Sequence, residues 1–200
     1  MKNKISISKN TLFSLAIIAL GFGITSCNNS SKPETDSKEV AEDANEEKFE
    51  TRKSEKDAQF LVDAAEINLK EIELGKLAQN TSKNADVQAL GKMMVEDHTK
   101  VLDELKALAE KEQITIPASL TEKGMDDHKK LSEKTGNDFD KEYCDMMVKG
   151  HKDAIDKFEK AAKDSEDSDI KSWAAAKLPG LHTHLDHSQK CEEKVKAAKK

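Results

Sequence analysis

The chain has 200 residues, which is enough for a targeting segment and one domain. Its 39 acidic and 33 basic residues give a formal net charge of −6 at pH 7. Such a charge repels the phosphate backbone, so it argues against a nucleic-acid partner. The lysines between Lys194 and Lys200 do not change this interpretation, because cations stabilise the carboxyl end of a helix.

The first 26 residues combine a positively charged start with a short apolar stretch at residues 12–24. This stretch is shorter than the roughly 18 apolar residues that a membrane-spanning helix needs. It ends in Ile24-Thr25-Ser26-Cys27, which resembles the lipobox of bacterial lipoproteins. We therefore expect residues 1–26 to be a lipoprotein signal peptide and Cys27 to be the lipidated residue. The alternative is an ordinary signal peptide with a chance cysteine.

Residues 27–53 consist mainly of Asn, Ser, Lys, Glu and Asp. This composition cannot bury enough apolar surface to offset the lost conformational entropy, so it predicts a disordered, solvated tether. Cleavage before Cys27 would remove three lysines and no acid, leaving 30 basic and 39 acidic residues and a net charge of −9. No acidic run follows Cys27, which favours a periplasm-facing anchor in the outer membrane over exposure at the cell surface.

Residues 54–200 contain two prolines and a persistent helical spacing of apolar residues, which predicts an all-α domain. Four long helices are expected, at residues 54–80, 85–112, 138–163 and 169–198. Asn84 is the expected N-cap of the second helix, and Pro179 should kink the fourth. Residues 113–136 are too long for a tight hairpin and should form a crossover with a short helix at 119–134. The expected fold is therefore a four-helix bundle of two antiparallel hairpins joined by this long crossover.

Each long helix carries one polar residue on its apolar line: Glu71, His98, His151 and His184. In an antiparallel hairpin, residues at equal distances from the turn lie at the same level. Glu71 and His98 satisfy this condition in the first hairpin, and His151 and His184 satisfy it in the second. Hairpins packed in register would therefore bring all four side chains together in the core. Asp97 and Glu73 are the expected acceptors for imidazole N–H groups, and Tyr143 is a further polar neighbour.

Three imidazoles and one carboxylate suit a single zinc, copper or iron ion. Di-iron carboxylate proteins use Glu-x-x-His pairs, but Val95, Val148 and Leu181 stand three residues before the histidines, so a di-iron centre is not expected. The alternative is a cluster of buried polar groups that bond to one another and to Tyr143 and only fix the helix register.

Two cysteines are also expected to lie at the same level of an antiparallel hairpin. Cys144 lies seven residues before His151, and Cys191 lies seven residues after His184. In an oxidising envelope compartment, they could form a disulfide between the third and fourth helices. Two buried free thiols are the alternative, because disulfide geometry is strict.

Several motifs within residues 56–189 resemble a known family. They are Glu71-Ile72-Glu73-Leu74-Gly75-Lys76-Leu77-Ala78, Met94-Val95-Glu96-Asp97-His98, Phe139-Asp140-x-x-Tyr143, Met147-Val148-x-x-His151 and Leu178-Pro179-x-Leu181-x-x-His184-Leu185. As a set they resemble domain-of-unknown-function family 4142, whose members are labelled outer-membrane proteins and classed as ferritin-like. The resemblance implies a ferritin-like four-helix bundle with a long crossover. It implies no activity, because the family has none securely assigned.

The sequence leaves three functions open. The first is a lipid-anchored module that binds a metal ion or small ligand at the inward cluster. The second is a structural or stress-related envelope protein that acts through its acidic surface, and the third is a redox enzyme. No nucleophile with a neighbouring base and no phosphate-binding loop is evident, so the sequence does not favour an enzyme. The membrane, reached through the lipid anchor, is the one partner that the sequence indicates.

Overall fold

The structure is a computed structural model and describes residues 35–49 and 52–198. Within those residues all regular structure is helical, which confirms the all-α prediction: α1 (Ser37–Glu46), α2 (Arg52–Thr81), α3 (Ala85–Lys111), α4 (Glu122–Ser132), α5 (Gly136–Asp164) and α6 (Ser168–Ala197). The predicted signal peptide and Cys27 lie outside this description. No helix in the described part of the chain has the length and apolar character needed to cross a membrane.

Side-chain caps define the two tight turns between long helices. Between α2 and α3, the Asn84 side chain accepts a hydrogen bond from the Asp86 backbone N–H at 2.9 Å, as its predicted N-cap role requires. Between α5 and α6, Asp167 caps α6 by accepting from the backbone N–H groups of Asp169 and Ile170. The predicted turns are therefore correct to within one or two residues, and they place the inward residues of each helix pair at matching levels.

The long helices pack in pairs, α2 along α3 and α5 along α6, and the pairs meet where α2 contacts α5 and α3 contacts α6. The predicted short helix is present as α4 and packs on α2 and α5. The apolar core forms two clusters, one around Leu105 and Phe158 and the other around Phe139 and Met147. His98, His151 and His184 each lie between a part of their helix that packs in the first cluster and a part that packs in the second.

Helix α1 occupies part of the segment that was predicted to be a tether, so the expectation of disorder over residues 27–53 is corrected for residues 37–46. Lys38 Nζ reaches from α1 to Asp63 Oδ1 at 3.0 Å and Glu66 Oε2 at 2.6 Å, both on α2. Asn45 makes two 2.8 Å hydrogen bonds with the Thr115 backbone. These contacts are polar and long-range, so a prediction from the low apolar content of the segment missed them.

Two glycines allow α2 and α3 to approach closely. A Cβ atom on Gly75 would lie 2.7 Å from the carbonyl oxygen of Gly91, and one on Gly91 would lie 2.7 Å from that of Gly75. Neither backbone oxygen can move away without separating the helices. The cost of glycine inside a helix, about 1 kcal/mol relative to alanine, is therefore offset by packing at this crossing.

We expect Gly91→Ala to lower the free energy of unfolding by about 1–3 kcal/mol, because overpacking would force α2 and α3 apart. Urea unfolding followed by circular dichroism measures the change. Gly180→Ala is the matched control, since no atom lies within 4 Å of its added Cβ and the site is an exposed helical position. The control should be neutral or stabilising by up to about 1 kcal/mol. Equal effects of the two substitutions would contradict the packing argument.

Candidate metal centre

The structure brings His98 of α3, His151 of α5 and His184 of α6 together in the core. All three are at least 94% buried, with 2%, 1% and 6% of their surfaces exposed. The ring centroids lie 5.1–5.6 Å apart. One ring nitrogen from each residue lies within 4.8 Å of one from each of the others. Three helices that are far apart in sequence therefore present imidazoles to one point.

The outer hydrogen bond of His98 fixes its tautomer. Asn68 Nδ2 donates to the backbone oxygen of Ala64 at 2.7 Å, which turns the amide oxygen Oδ1 towards His98. This oxygen lies 2.9 Å from His98 Nδ1 and can only accept, so Nδ1 carries the hydrogen. The lone pair of His98 is therefore on Nε2.

The same reasoning applies to the other two rings. His151 Nδ1 lies 2.8 Å from the Met147 carbonyl oxygen, so Nδ1 donates and Nε2 carries the lone pair. His184 Nε2 lies 3.2 Å from Asp97 Oδ2, so Nε2 donates to this carboxylate and Nδ1 carries the lone pair. Asp97 thus has the acceptor role that its sequence position predicts.

The three lone-pair nitrogens have no hydrogen-bond partner. His98 Nε2, His151 Nε2 and His184 Nδ1 are each buried and unpaired. A buried acceptor without a donor costs roughly 1–3 kcal/mol, so three in one place are expensive unless another group binds them. A metal ion accepts several imidazole lone pairs at once, while the outer N–H groups remain bonded to protein oxygens. The three histidines therefore form a group of side chains that could hold a metal ion.

Burial keeps these imidazoles neutral. Desolvation lowers the pKa of His98 well below its usual value, and the neighbouring His151 and His184 lower it further. Desolvation lowers the pKa of His151 to about 4 and also lowers that of His184, although the Asp97 carboxylate opposes the second shift. All three rings are consequently unprotonated at neutral pH, which is the state that binds metal.

Glu71, the fourth predicted ligand, is 1% exposed, and its Oε2 atom has no partner. Burial raises the pKa of this carboxyl group to about 7. Its Oε1 atom would lie 2.9 Å from a Cβ on Gly150, so this glycine makes room for the carboxyl group. The group of ligand atoms that contains the three histidines, all within 4.8 Å of one another, does not include Glu71. Three of the four predicted ligands therefore meet directly.

Two of the predicted neighbours have other environments. The Glu73 side chain is 41% exposed and accepts from Lys76 Nζ at 2.7 Å, so its assignment as an imidazole acceptor is corrected. The physical reason is the helical turn of about 100° per residue, which places Glu73 roughly 200° around α2 from Glu71. Tyr143 is completely buried, but its hydroxyl group has no hydrogen-bond partner and does not bond to the histidines.

Asn68 is the functional residue that the sequence reasoning missed. It lies three residues before Glu71 on the same face of α2, it is 1% exposed, and it orients His98. The sequence pattern that could have identified it is a polar residue at helical spacing on the same face of α2 as Glu71. The remaining histidines do not join the centre: His182 and His187 are exposed and His128 is half-buried.

The predicted cysteine pair also meets. Cys144 Sγ and Cys191 Sγ lie 2.9 Å apart as buried free thiols, at the level that the seven-residue spacing predicts. This pair belongs to the second apolar cluster, about two helical turns from the histidines.

A protein-family model with the description "Domain of unknown function (DUF4142)" matches residues 42–191. The chain belongs to this family. The resemblance drawn from the motifs is thereby confirmed. The DUF4142 match begins inside α1, and it covers α2 to α5 and most of α6, including all three histidines and Glu71. Searches of the curated proteins and of the solved structures found no match.

Proposed function

We propose that this DUF4142 protein is a lipid-anchored protein of the bacterial envelope that binds one transition-metal ion through His98, His151 and His184. A single observation carries the proposal. Three neutral imidazoles each have one ring nitrogen bonded to a protein oxygen and the other unpaired and buried, and one nitrogen of each ring lies within 4.8 Å of one from each of the others. A cluster that only fixed helix register would be expected to pair these nitrogens with donors.

The ligand chemistry indicates which ions fit. Imidazole nitrogen suits zinc, copper and iron, whereas magnesium and calcium prefer oxygen ligands. Glu71 is the candidate fourth ligand, because its Oε2 is buried and unpaired and its pKa of about 7 allows it to lose a proton near neutral pH. Glu71 is the one buried carboxylate proposed as a ligand beside the three histidines, and none of these histidines has the Glu-x-x-His pattern of di-iron carboxylate centres, so a single ion is proposed.

The proposed fold is the ferritin-like four-helix bundle. The pairing of α2 with α3 and of α5 with α6, together with the long connection that contains α4, supports it. The proposed anchor is supported by the Ile24-Thr25-Ser26-Cys27 sequence and the apolar stretch before it. Because the protein would be attached to the outer membrane and face the periplasm, the metal would come from that compartment.

Metal content tests the proposal directly. The full chain would be purified without a histidine tag from the envelope of its native cell, and its metal content would be determined by elemental analysis. We expect about one equivalent of zinc, copper or iron per chain. If the protein carries well under a tenth of an equivalent and also binds none of these ions in vitro, the cluster is a packing device.

Asp97→Ala should weaken metal binding by about 10–100-fold and leave the fold intact, because it removes the acceptor that orients His184. Asp97 is 42% exposed, so its removal leaves no buried cavity. Zinc titration by calorimetry measures the loss. Asp103→Ala is the matched control, since Asp103 lies on the same helix, is exposed and pairs with Lys106. An Asp97→Ala affinity within twofold of the control would show that His184 does not depend on this carboxylate.

A further inference from the structure

The pair of cysteines is unused by the proposed metal centre. Cys144 on α5 is completely buried and Cys191 on α6 is 4% exposed, and their sulfur atoms lie 2.9 Å apart. The S–S bond of a disulfide measures about 2.05 Å, so the two sulfurs need to approach by roughly 1 Å to bond. Only small movements of two side chains on adjacent helices are therefore needed to convert the dithiol into the disulfide.

The two thiols differ in their access to solvent. Cys191 lines a surface cleft of about 460 Å³ between α3 and α6, together with Met93, His187 and Lys194. A cleft of this volume can hold a small peptide-like ligand. Cys144 belongs to the core cluster of Phe139 and Tyr143 and is 0% exposed. A reagent that enters the cleft therefore meets Cys191 first.

The two thiols also differ in charge. Cys144 donates its S–H to the Cys191 sulfur, and this hydrogen bond is the largest influence on Cys191 and lowers its pKa. Burial and the Asp86 and Asp140 carboxylates oppose the shift, and the Lys194 ammonium group adds a smaller effect that lowers the pKa. The same contact raises the pKa of Cys144 above its usual range. The thiolate is the nucleophilic form of cysteine, so the accessible sulfur is also the reactive one.

We propose that Cys191 and Cys144 form a dithiol–disulfide exchange site that is oxidised by a small peptide disulfide, written RS–SR. The Cys191 thiolate attacks one sulfur of RS–SR, forming a mixed disulfide and releasing the first RS⁻. Cys144 then attacks the Cys191 sulfur, forming the Cys144–Cys191 bond and releasing the second RS⁻, while the proton of Cys144 passes to a released thiolate. Two electrons leave the pair, and RS–SR is reduced to two thiol equivalents.

The test uses the full chain with Cys27→Ser, so that only the two core cysteines react. The folded protein is incubated with oxidised glutathione and a metal chelator, and intact masses are followed over time. We expect the parent to lose two hydrogens without retaining glutathione. Cys144→Ser should trap one glutathionyl group on Cys191, and Cys191→Ser should react at least tenfold more slowly. A parent that stays a dithiol would establish a pair of inert buried thiols, and equal rates in the two variants would overturn the assignment of Cys191 as the attacking sulfur.

A surface substitution keeps the test valid if a buried serine disturbs the fold. Lys194→Gln should slow the oxidation of the parent severalfold, because it removes the cation that pairs with Asp86 at 2.6 Å and leaves this carboxylate, which raises the pKa of Cys191, without a counter-charge. Lys190→Gln is the matched control: Lys190 lines the same cleft and pairs with Asp186. Oxidation should also raise Tm by roughly 10 °C, since the bond spans 47 positions and constrains the unfolded chain. Equal rates for the two lysine variants, or an unchanged Tm on oxidation, would overturn the proposal.

Discussion

Replacing His98 with alanine is expected to abolish the proposed metal binding. His98 supplies one of three buried, unpaired imidazole nitrogens, and its bond to Asn68 leaves the lone pair on Nε2. Two imidazoles cannot complete the tetrahedral site that a zinc ion prefers, so the affinity should fall by more than the 10–100-fold that loss of an orienting neighbour costs. Elemental analysis of the purified variant and zinc titration by calorimetry measure this change.

The control is His182→Ala. His182 lies on α6, two residues before His184, and it is exposed. Its substitution should leave both metal content and affinity unchanged, which separates loss of a ligand from loss of any histidine. Far-ultraviolet circular dichroism and urea unfolding establish that both variants fold. Full metal occupancy in folded His98→Ala protein would show that this histidine is not a ligand and would return the cluster to a structural role.

The inward cluster was predictable because it depends on spacing alone. The polar residues fall on the apolar lines of their helices at steps of three and four residues. The level rule for antiparallel pairs matches Glu71 with His98 and His151 with His184, and packing of the two hairpins in register then brings the two pairs together. The breaks at residues 81–84 and 164–169 were recognisable from their turn-forming and charged composition, and the helix ends agree within about two residues. The general architecture therefore follows from local patterns.

The orientation of the His98 imidazole was not predictable from the sequence. It depends on Asn68, whose role becomes visible only when its amide is seen bonded to Ala64 on one side and to His98 on the other. Glu73 was misassigned because its sequence position near Glu71 suggested proximity, although the helical turn places it on the exposed side. Helix α1 was missed because Lys38 binds it to α2 through polar contacts with Asp63 and Glu66. The amino-acid composition of a segment does not indicate such contacts with distant residues.

The stability of the metal-free protein should fall as pH decreases from 6.5 towards 4. A histidine in the unfolded chain has a pKa near 6.5, whereas burial lowers the pKa of His98, His151 and His184 in the folded state. Below pH 6.5 the unfolded state therefore binds protons that the folded state does not, and stability decreases. For His151, the shift from 6.5 to about 4 corresponds to about 3 kcal/mol.

Glu71 acts in the opposite direction. Its pKa is raised from 4.5 to about 7, so between these values the folded state binds a proton that the unfolded state does not. This group destabilises the folded state as pH rises through that window, and acidification relieves the effect. Three histidines oppose one carboxyl group, so the net change on acidification is a loss of stability.

Urea unfolding at a series of pH values, with a chelator present, measures both contributions. His151→Gln should flatten the fall in stability between pH 6.5 and 4, whereas His182→Gln should leave it unchanged because that ring is exposed. Glu71→Gln should make the fall steeper, since it removes a carboxyl group that takes up a proton on folding and so opposes the histidines. Saturating zinc should raise stability at pH 7, where the rings are neutral, and the gain should shrink as protons compete for the ring nitrogens. A parent protein whose stability is flat from pH 7 to pH 5 would mean that the three imidazoles are not buried as neutral groups, and the metal-centre proposal would lose its basis.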